Sequence, residues 1–147
     1  MKERIREVFE ESIKVKRDSL ASSLDEIEKS VRLIIESLKN GGTVFVFGNG
    51  GSAADAQHIA AELIGKYYRV RKPLRALALT TNTSSITAWS NDIGFDSVFA
   101  RQIEALGRPG DIAWGISTSG NSPNVLQAIT AASKIGLKTI GLTGKNG

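Results

Sequence analysis

The sequence of 147 residues has no cysteine, only three prolines and a single histidine. Without cysteine, the chain has no disulfide scaffold, no zinc site built on thiolates, no iron–sulfur cluster and no cysteine nucleophile. No apolar run approaches the length of about 18 residues that a membrane-spanning helix needs. The charged start, Met1–Arg4, lacks the pattern of a signal peptide. We therefore expect a cytoplasmic protein that does not associate with membranes.

Positive charge is concentrated in the second part of the chain. Residues 1–39 contain nine basic and nine acidic side chains, whereas residues 40–147 contain ten basic and six acidic ones. The second segment should therefore bind anions more readily than cations. Its basic residues cluster at Lys66, Arg69, Arg71, Lys72 and Arg75. No aromatic-rich or recognition-helix motif accompanies this cluster, so we expect a solvated loop and no nucleic-acid partner.

The spacing of apolar residues predicts helices first and alternating strands and helices afterwards. Apolar residues recur at three- and four-residue steps in residues 1–39, which predicts two helices separated near Ser19–Ser23. Beyond Gly42, four short apolar runs alternate with helical patterns. The predicted strands are 43–47, 75–79, 111–116 and 138–142, and the predicted helices are 53–64, 84–89, 95–105 and 122–135.

Strands that alternate with helices are typical of βαβ units. The sequence therefore predicts an α/β protein with a doubly wound parallel sheet flanked by helices. We expect residues 1–147 to form one domain, with an N-terminal helical region at 1–39 and an α/β core at 43–147.

Two loops follow predicted strands at the edge where open parallel sheets bind ligands. The second of them, Ser117–Ser122, contains four hydroxyl side chains in six residues and leads into a helix. Free N–H groups and the positive end of the helix dipole favour an anion there. Ser122 alone would suffice as an ordinary helix cap. The further hydroxyls favour a phosphate monoester.

The first loop is rich in glycine and leaves a second interpretation open. Gly48, Gly50 and Ala53 match the dinucleotide-binding pattern G-x-G-x-x-A, which is weak when it stands alone. The acidic residue expected after the next strand is absent, since Leu79–Asn82 occupies that place. We therefore rank a nicotinamide-dependent enzyme below a phosphate-binding one.

The helix after the first loop carries the only histidine. His58 and Glu62 are four residues apart, so their side chains share one face of the helix. This spacing suits a pair of metal ligands or an acid–base pair, although it also occurs in ordinary surface pairs. Asn91 and Asp92 precede Gly94 in a predicted loop, where they could form a turn or contact a ligand.

Taken together, these segments resemble the sugar isomerase (SIS) domain family, and within it the isomerases of seven-carbon sugar phosphates. The resemblance spans essentially the whole chain. It is carried by the segments Gly48–Ser52, Asp55–Leu63, Ser90–Phe95 and Gly115–Asn124.

The resemblance implies the aldose–ketose isomerisation of sedoheptulose 7-phosphate to D-glycero-D-manno-heptose 7-phosphate, for bacterial heptose and lipopolysaccharide precursors. It implies a cytoplasmic homotetramer with one zinc ion per subunit. Glu62 would be the enediol base and would bind zinc together with His58. The residues that would contact the phosphorylated sugar are Asn49, Gly50, Gly51, Ser52, Glu62, Asn91, Asp92, Ser117, Thr118, Ser119 and Ser122.

The resemblance also implies a later segment that this sequence does not contain. In the family, a later helix supplies a glutamine and a second histidine, and a last strand completes the sheet. Here Thr143–Gly147 follows a predicted strand as a βα loop would. We therefore expect a missing C-terminal strand and helix. A non-catalytic SIS module that senses phosphosugars or binds a protein, of the replication-initiator-associating type, is the alternative, but the carboxylate of Glu62 favours an enzyme.

Overall fold

The computed structural model describes residues 1–144, which alternate between strands and helices after two leading helices. The helices are α1 (Lys2–Ser22), α2 (Leu24–Lys39), α3 (Gly51–Ile64), α4 (Thr83–Asp92), α5 (Val98–Leu106) and α6 (Pro123–Lys134), with a short 3₁₀ turn at Phe95–Ser97 before α5. The strands are β1 (Val44–Gly48), β2 (Ala76–Ala78), β3 (Ile112–Ser117) and β4 (Lys138–Thr143).

All four strands are parallel and lie in the order β2-β1-β3-β4. The chain therefore reverses its direction of travel across the sheet after β2, which makes β1 and β3 the two central strands. Gly48 pairs with Ile116, so the carboxyl ends of these strands lie next to each other. The predicted α/β fold with a parallel sheet is confirmed.

Alternate side chains of the central strands pack into two separate cores. Val44, Val46 and Ile112 face α3 and the C-terminal half of α2. Phe45 and Phe47 face the opposite side of the sheet, against α5 and α6. Because helices cover both faces of the sheet, the side chains that point to either face are apolar. This explains why the apolar run of β1 is continuous.

The chain divides into two compact units, Met1–Arg32 and the part from Leu33 onward. In the first unit, α1 contains no buried residue, and Ile5, Val8 and Phe9 are among its exposed apolar side chains. The predicted break between the leading helices lies at Ser23. Within residues 1–144, no helix has the length and apolar character needed to cross a membrane.

Asp111 joins the amino ends of the two central strands. Its carboxylate is buried and accepts hydrogen bonds from the backbone N–H of Thr43 at 2.8 Å and of Arg108 at 2.9 Å. Both carboxylate oxygens are thus engaged by backbone donors that flank β1 and β3. A buried backbone N–H without a partner is costly, so this carboxylate helps to fix how the central strands start.

Asp111→Asn tests this connection between the starts of the two central strands. The amide keeps the shape of the side chain but turns an NH₂ group toward one of the two backbone N–H donors. We expect the free energy of unfolding to fall by about 1–3 kcal/mol, measured by urea denaturation. The same change at the exposed Asp96 serves as control, with an expected effect within about 0.5 kcal/mol. Equal effects at both positions would contradict the assignment.

Candidate functional site

The two loops singled out in the sequence meet at the carboxyl edge of the sheet. Their contact depends on Gly48, because a Cβ atom there would lie 2.7 Å from the carbonyl oxygen of Ile116 and 2.7 Å from the Cβ of Ser52. Only glycine lets β1, β3 and the start of α3 approach this closely. The loop from 48 to 52 and the loop from 117 to 122 therefore lie side by side.

The Gly-rich loop turns sharply into α3. Gly50 has a φ of +54°, a left-handed conformation that favours glycine, and α3 begins at the next residue, Gly51. No side chain caps the start of α3 by a hydrogen bond. Gly50 and Gly51 are exposed, whereas Ser52 is half-buried. The first turn of α3 is therefore open to a ligand at this edge.

The side chain of Asn49 is already engaged. Its amide forms two reciprocal hydrogen bonds, each of 2.9 Å, with the amide of Asn124 in the first turn of α6. Asn124 is buried, with 2% of its surface exposed. The prediction that Asn49 lines the sugar stays a prediction, and one donor and one acceptor of its side-chain amide are directed at the neighbouring loop. Sequence reasoning placed Asn124 in a motif without giving it a role.

Three hydroxyls of the second loop converge. The Oγ of Ser117, at the end of β3, is buried and lies 3.0 Å from the Oγ of Ser122 and 3.4 Å from the Oγ of Ser119. Thr118 and Ser119 are exposed. Ser122 directly precedes α6, yet its side chain makes no capping hydrogen bond. The alternative of an ordinary serine cap is therefore wrong.

The predicted pair on α3 is brought together. His58 Nε2 and Glu62 Oε1 are 3.7 Å apart, with 75% and 39% of their side chains exposed. Both line an open and largely apolar cleft of about 640 Å³. Its other walls come from Ile34 of α2, Trp114 of β3 and the segment between α3 and β2.

Arg71 and Tyr67 border the same cleft. The sequence placed Arg71 in a basic cluster without a functional role and did not point to Tyr67. The guanidinium of Arg71 donates to the carbonyl oxygens of Glu62 at 2.9 Å and of Leu63 at 2.8 Å. A cation at these last carbonyls stabilises the end of the helix. Arg71 is exposed like its neighbours, as the predicted solvated loop requires, and it also holds the end of α3.

Tyr67 stands beside Glu62 in an unusual backbone conformation. Its φ is +44°, and its ring packs against that of Tyr68 with centroids 4.2 Å apart. A hydrogen bond with Tyr68, followed by burial and by the negative charge of Glu62, raises the pKa of the Tyr67 phenol.

The donor atoms of His58 and Glu62 fit part of a zinc site. Two ligand atoms on one tetrahedral zinc ion lie roughly 3.4 Å apart, close to the observed 3.7 Å between Nε2 and Oε1. Imidazole nitrogen and carboxylate oxygen are also ligand types that zinc accepts. Within residues 1–144, no group of three or more His, Cys, Asp or Glu side chains is placed to hold a metal.

Asn91 and Asp92 lie in the last turn of α4 and not in a loop, which corrects the prediction. The amide of Asn91 donates to the carboxylate of Asp92 at 2.9 Å, and both side chains are exposed. The helix begins earlier than its apolar pattern suggested, because Asn82 caps it by accepting a hydrogen bond from the backbone N–H of Ser85. Across residues 1–144, no hydrogen bond joins Asn91 or Asp92 to either loop.

A parallel α/β sheet with a Gly-rich loop and a hydroxyl cluster side by side at its carboxyl edge is typical of a phosphosugar-binding domain. The SIS domain family matches residues 8–144 of this chain. The phosphoheptose isomerase of Aquifex aeolicus is 50% identical over 147 residues, which cover 100% of this chain and 77% of that protein. The phosphoheptose isomerase of Syntrophotalea carbinolica is 56% identical over 124 residues, covering 84% of this chain and 63% of that protein.

Solved structures agree with this assignment. The phosphoheptose isomerase of Neisseria gonorrhoeae superposes with a TM-score of 0.92 at 46% identity, over 99% of this chain and 76% of that chain. That of Francisella tularensis gives a TM-score of 0.94 at 39% identity and the same coverage. The chain belongs to the SIS domain family. Within that family, it belongs to the phosphoheptose isomerases.

Two glycines of the first loop offer a matched test of the close approach between the loops. In Gly48→Ala the new methyl group would meet the Ile116 backbone, so we expect the free energy of unfolding to fall by about 1–3 kcal/mol. In Gly51→Ala a methyl group meets nothing within 4 Å, and the free energy of unfolding should stay the same or rise by up to about 1 kcal/mol. Chemical denaturation measures both. A similar loss at the two positions would disprove the close packing.

Proposed function

We propose that this chain carries the isomerisation of sedoheptulose 7-phosphate to D-glycero-D-manno-heptose 7-phosphate, an aldose–ketose exchange that supplies heptose for bacterial lipopolysaccharide precursors. The observation that supports this proposal most directly is where α3 begins and which side chains it carries. This helix starts in the Gly-rich loop at the ligand edge and presents His58 and Glu62 on one face. The names of the relatives described above support the substrate class.

The phosphate would occupy the second loop. The hydroxyls of Ser117, Thr118, Ser119 and Ser122 are short donors that can surround the phosphate oxygens, and the uncapped start of α6 adds its dipole. Ser52 would contribute from the neighbouring loop. Because the Ser117 hydroxyl already lies within hydrogen-bonding distance of both Ser119 and Ser122, little reorganisation is needed to bind an anion.

The sugar would extend from the phosphate toward the Gly-rich loop. Asn49, Gly50 and Gly51 present amide groups there, which can bind sugar hydroxyls. Asn91 and Asp92 would contact the sugar from the last turn of α4. Their exposure leaves them free to do so, and this part of the proposal depends on the resemblance to the family.

Glu62 would be the base. Its carboxylate would take the proton from C1 of the ketose while the C2 carbonyl oxygen takes a proton from solvent, which gives an enediol. The carboxyl group would then return its proton to C2 while the C1 hydroxyl releases a proton to solvent, and C1 becomes the aldehyde carbon. A positioned base between two adjacent carbons can serve both steps. Arg71 holds the main chain of Glu62 in place through its carbonyl oxygen.

We also propose that His58 and Glu62 contribute to a zinc site. When bound there, zinc would polarise the substrate oxygens and stabilise negative charge that develops on them. The two donor atoms supply half of a tetrahedral set. The exposed apolar side chains of α1 support the further proposal that subunits associate as a homotetramer through helical surfaces. A phosphorylated substrate supports a cytoplasmic location.

The alternative of a non-catalytic phosphosugar-sensing module is not favoured. The relatives described above are isomerases by name. A module that only binds phosphosugars has no need of a carboxylate at position 62. A nicotinamide-dependent enzyme is likewise not favoured, since the residues after β2 are Leu79 and Thr80 where an acidic ribose contact is required.

Glu62→Gln tests the assignment of the base. We expect the change to abolish uptake of deuterium from solvent into sedoheptulose 7-phosphate, followed by mass spectrometry, because an amide cannot accept the proton. Removing a general base typically lowers the rate by about 10²–10⁴-fold. Binding of the phosphosugar should persist.

The matched control is Glu104→Gln on the exposed side of α5, which should exchange deuterium at the unaltered rate. Unchanged exchange in Glu62→Gln would refute its role as base. A specific protein partner bound equally well by both variants, in the absence of any exchange, would favour the non-catalytic module.

Ser122→Ala tests the phosphate loop. Hydrogen bonds to a charged group contribute about 1.5–3 kcal/mol, so loss of this hydroxyl should raise the Kd for inorganic phosphate at least about tenfold. Titration calorimetry measures it. Ser133→Ala, at the exposed far end of the same helix, should leave the Kd unchanged. Equal phosphate affinity in the two variants would place the anion elsewhere.

A further inference from the structure

The amide pair between Asn49 and Asn124 connects the two loops that the proposed function uses. These residues are 75 positions apart in the chain, and each amide donates to and accepts from the other at 2.9 Å. Asn49 directly follows Gly48, whose lack of a side chain lets β1 approach the backbone of Ile116 in β3. The pair therefore connects the two loops just beyond the end of β1.

The surroundings of Asn124 restrict both positions of this pair to amide side chains. Asn124 is 2% exposed and follows Pro123 in the first turn of α6, with apolar Val125 next to it. A buried amide without partners is costly, and here all of the partners that the structure gives to Asn124 come from Asn49. An aspartate at either position would place a carboxylate oxygen opposite the amide oxygen of the partner, so that two hydrogen-bond acceptors would face each other. The reciprocal geometry thus requires an amide on both sides.

We infer that Asn124 is a positioning residue, which holds the Gly-rich loop in register with the hydroxyl cluster around Ser117. The inference rests on the proposed function, in which the second loop supplies most of the phosphate contacts and the Gly-rich loop, apart from Ser52, binds the sugar. A ligand with both parts needs the loops at a fixed separation, whereas a free phosphate depends mainly on the second loop. Small displacements between the groups of a site strongly weaken binding and catalysis.

Asn124→Ala separates these two cases. We expect the Kd for sedoheptulose 7-phosphate to rise about tenfold or more, the size of change that 1.4 kcal/mol produces, whereas the Kd for inorganic phosphate should change less than about twofold. Titration calorimetry measures both. Gln127→Ala, one turn later on the exposed face of α6, is the control and should change neither Kd. Should Asn124→Ala give no folded protein, Asn124→Ser is measured in the same way.

A double-mutant cycle shows whether Asn124 acts through Asn49. In an Asn49→Ala background, adding Asn124→Ala should raise the phosphosugar Kd by no more than about twofold, because the pair is already broken. If the two substitutions instead raise the phosphosugar Kd by independent factors that multiply in the double variant, the inference is overturned. An equal loss of phosphate and phosphosugar binding in Asn124→Ala, or no loss of either, would also overturn it. If the unmodified chain binds inorganic phosphate but not the phosphosugar, the proposed function fails first, and the inference fails with it.

Discussion

The parallel pairing of β1 with β3 is the constraint on which the rest of the molecule depends. It brings Gly48 against the backbone of Ile116, and a side chain larger than hydrogen would separate the strands there. The same pairing sets the Gly-rich loop beside the hydroxyl cluster at one end of the sheet. At the other end, Asp111 binds backbone donors that flank both strands. The central pair is thus fixed at both ends by contacts that tolerate little substitution.

The two faces of the sheet support different parts of the site. The first core holds α3, so the packing of Ala56 and Ala60 against β1 determines where Glu62 points. The second core holds α6, whose Val125 and Ala128 fix the helix that follows the hydroxyl cluster. Glu62 and the hydroxyl cluster are therefore anchored in separate apolar cores. Glu62 lies in the last turn of α3, about 16 Å along the helix from the Gly-rich loop at its start.

Sequence periodicity was sufficient to predict the strands, their parallel arrangement and the position of both loops, because apolar spacing reports local structure and burial. The spacing of His58 and Glu62 also predicted their shared helical face. It failed for Asn91 and Asp92, because the helix continues past its last apolar residue and ends only where the backbone N–H groups of Ile93 and Gly94 donate to the Trp89 carbonyl oxygen. It gave no role to Asn124 or Arg71, whose partners lie in other segments. Contacts between distant segments leave no periodic signal in a single sequence.

The separation of Asn49 and Asn124 along the chain has a consequence for folding. Their contact requires the β1–β3 pairing, which joins Val44 to Ile112, 68 positions further along the chain, and long-range pairings of this kind slow the folding of a chain. The hydrogen bonds within α3 are local in sequence, but the complete binding edge exists only once the distant strands have met. A ligand that needs both loops binds the folded state alone, and it stabilises that state in proportion to the logarithm of its concentration.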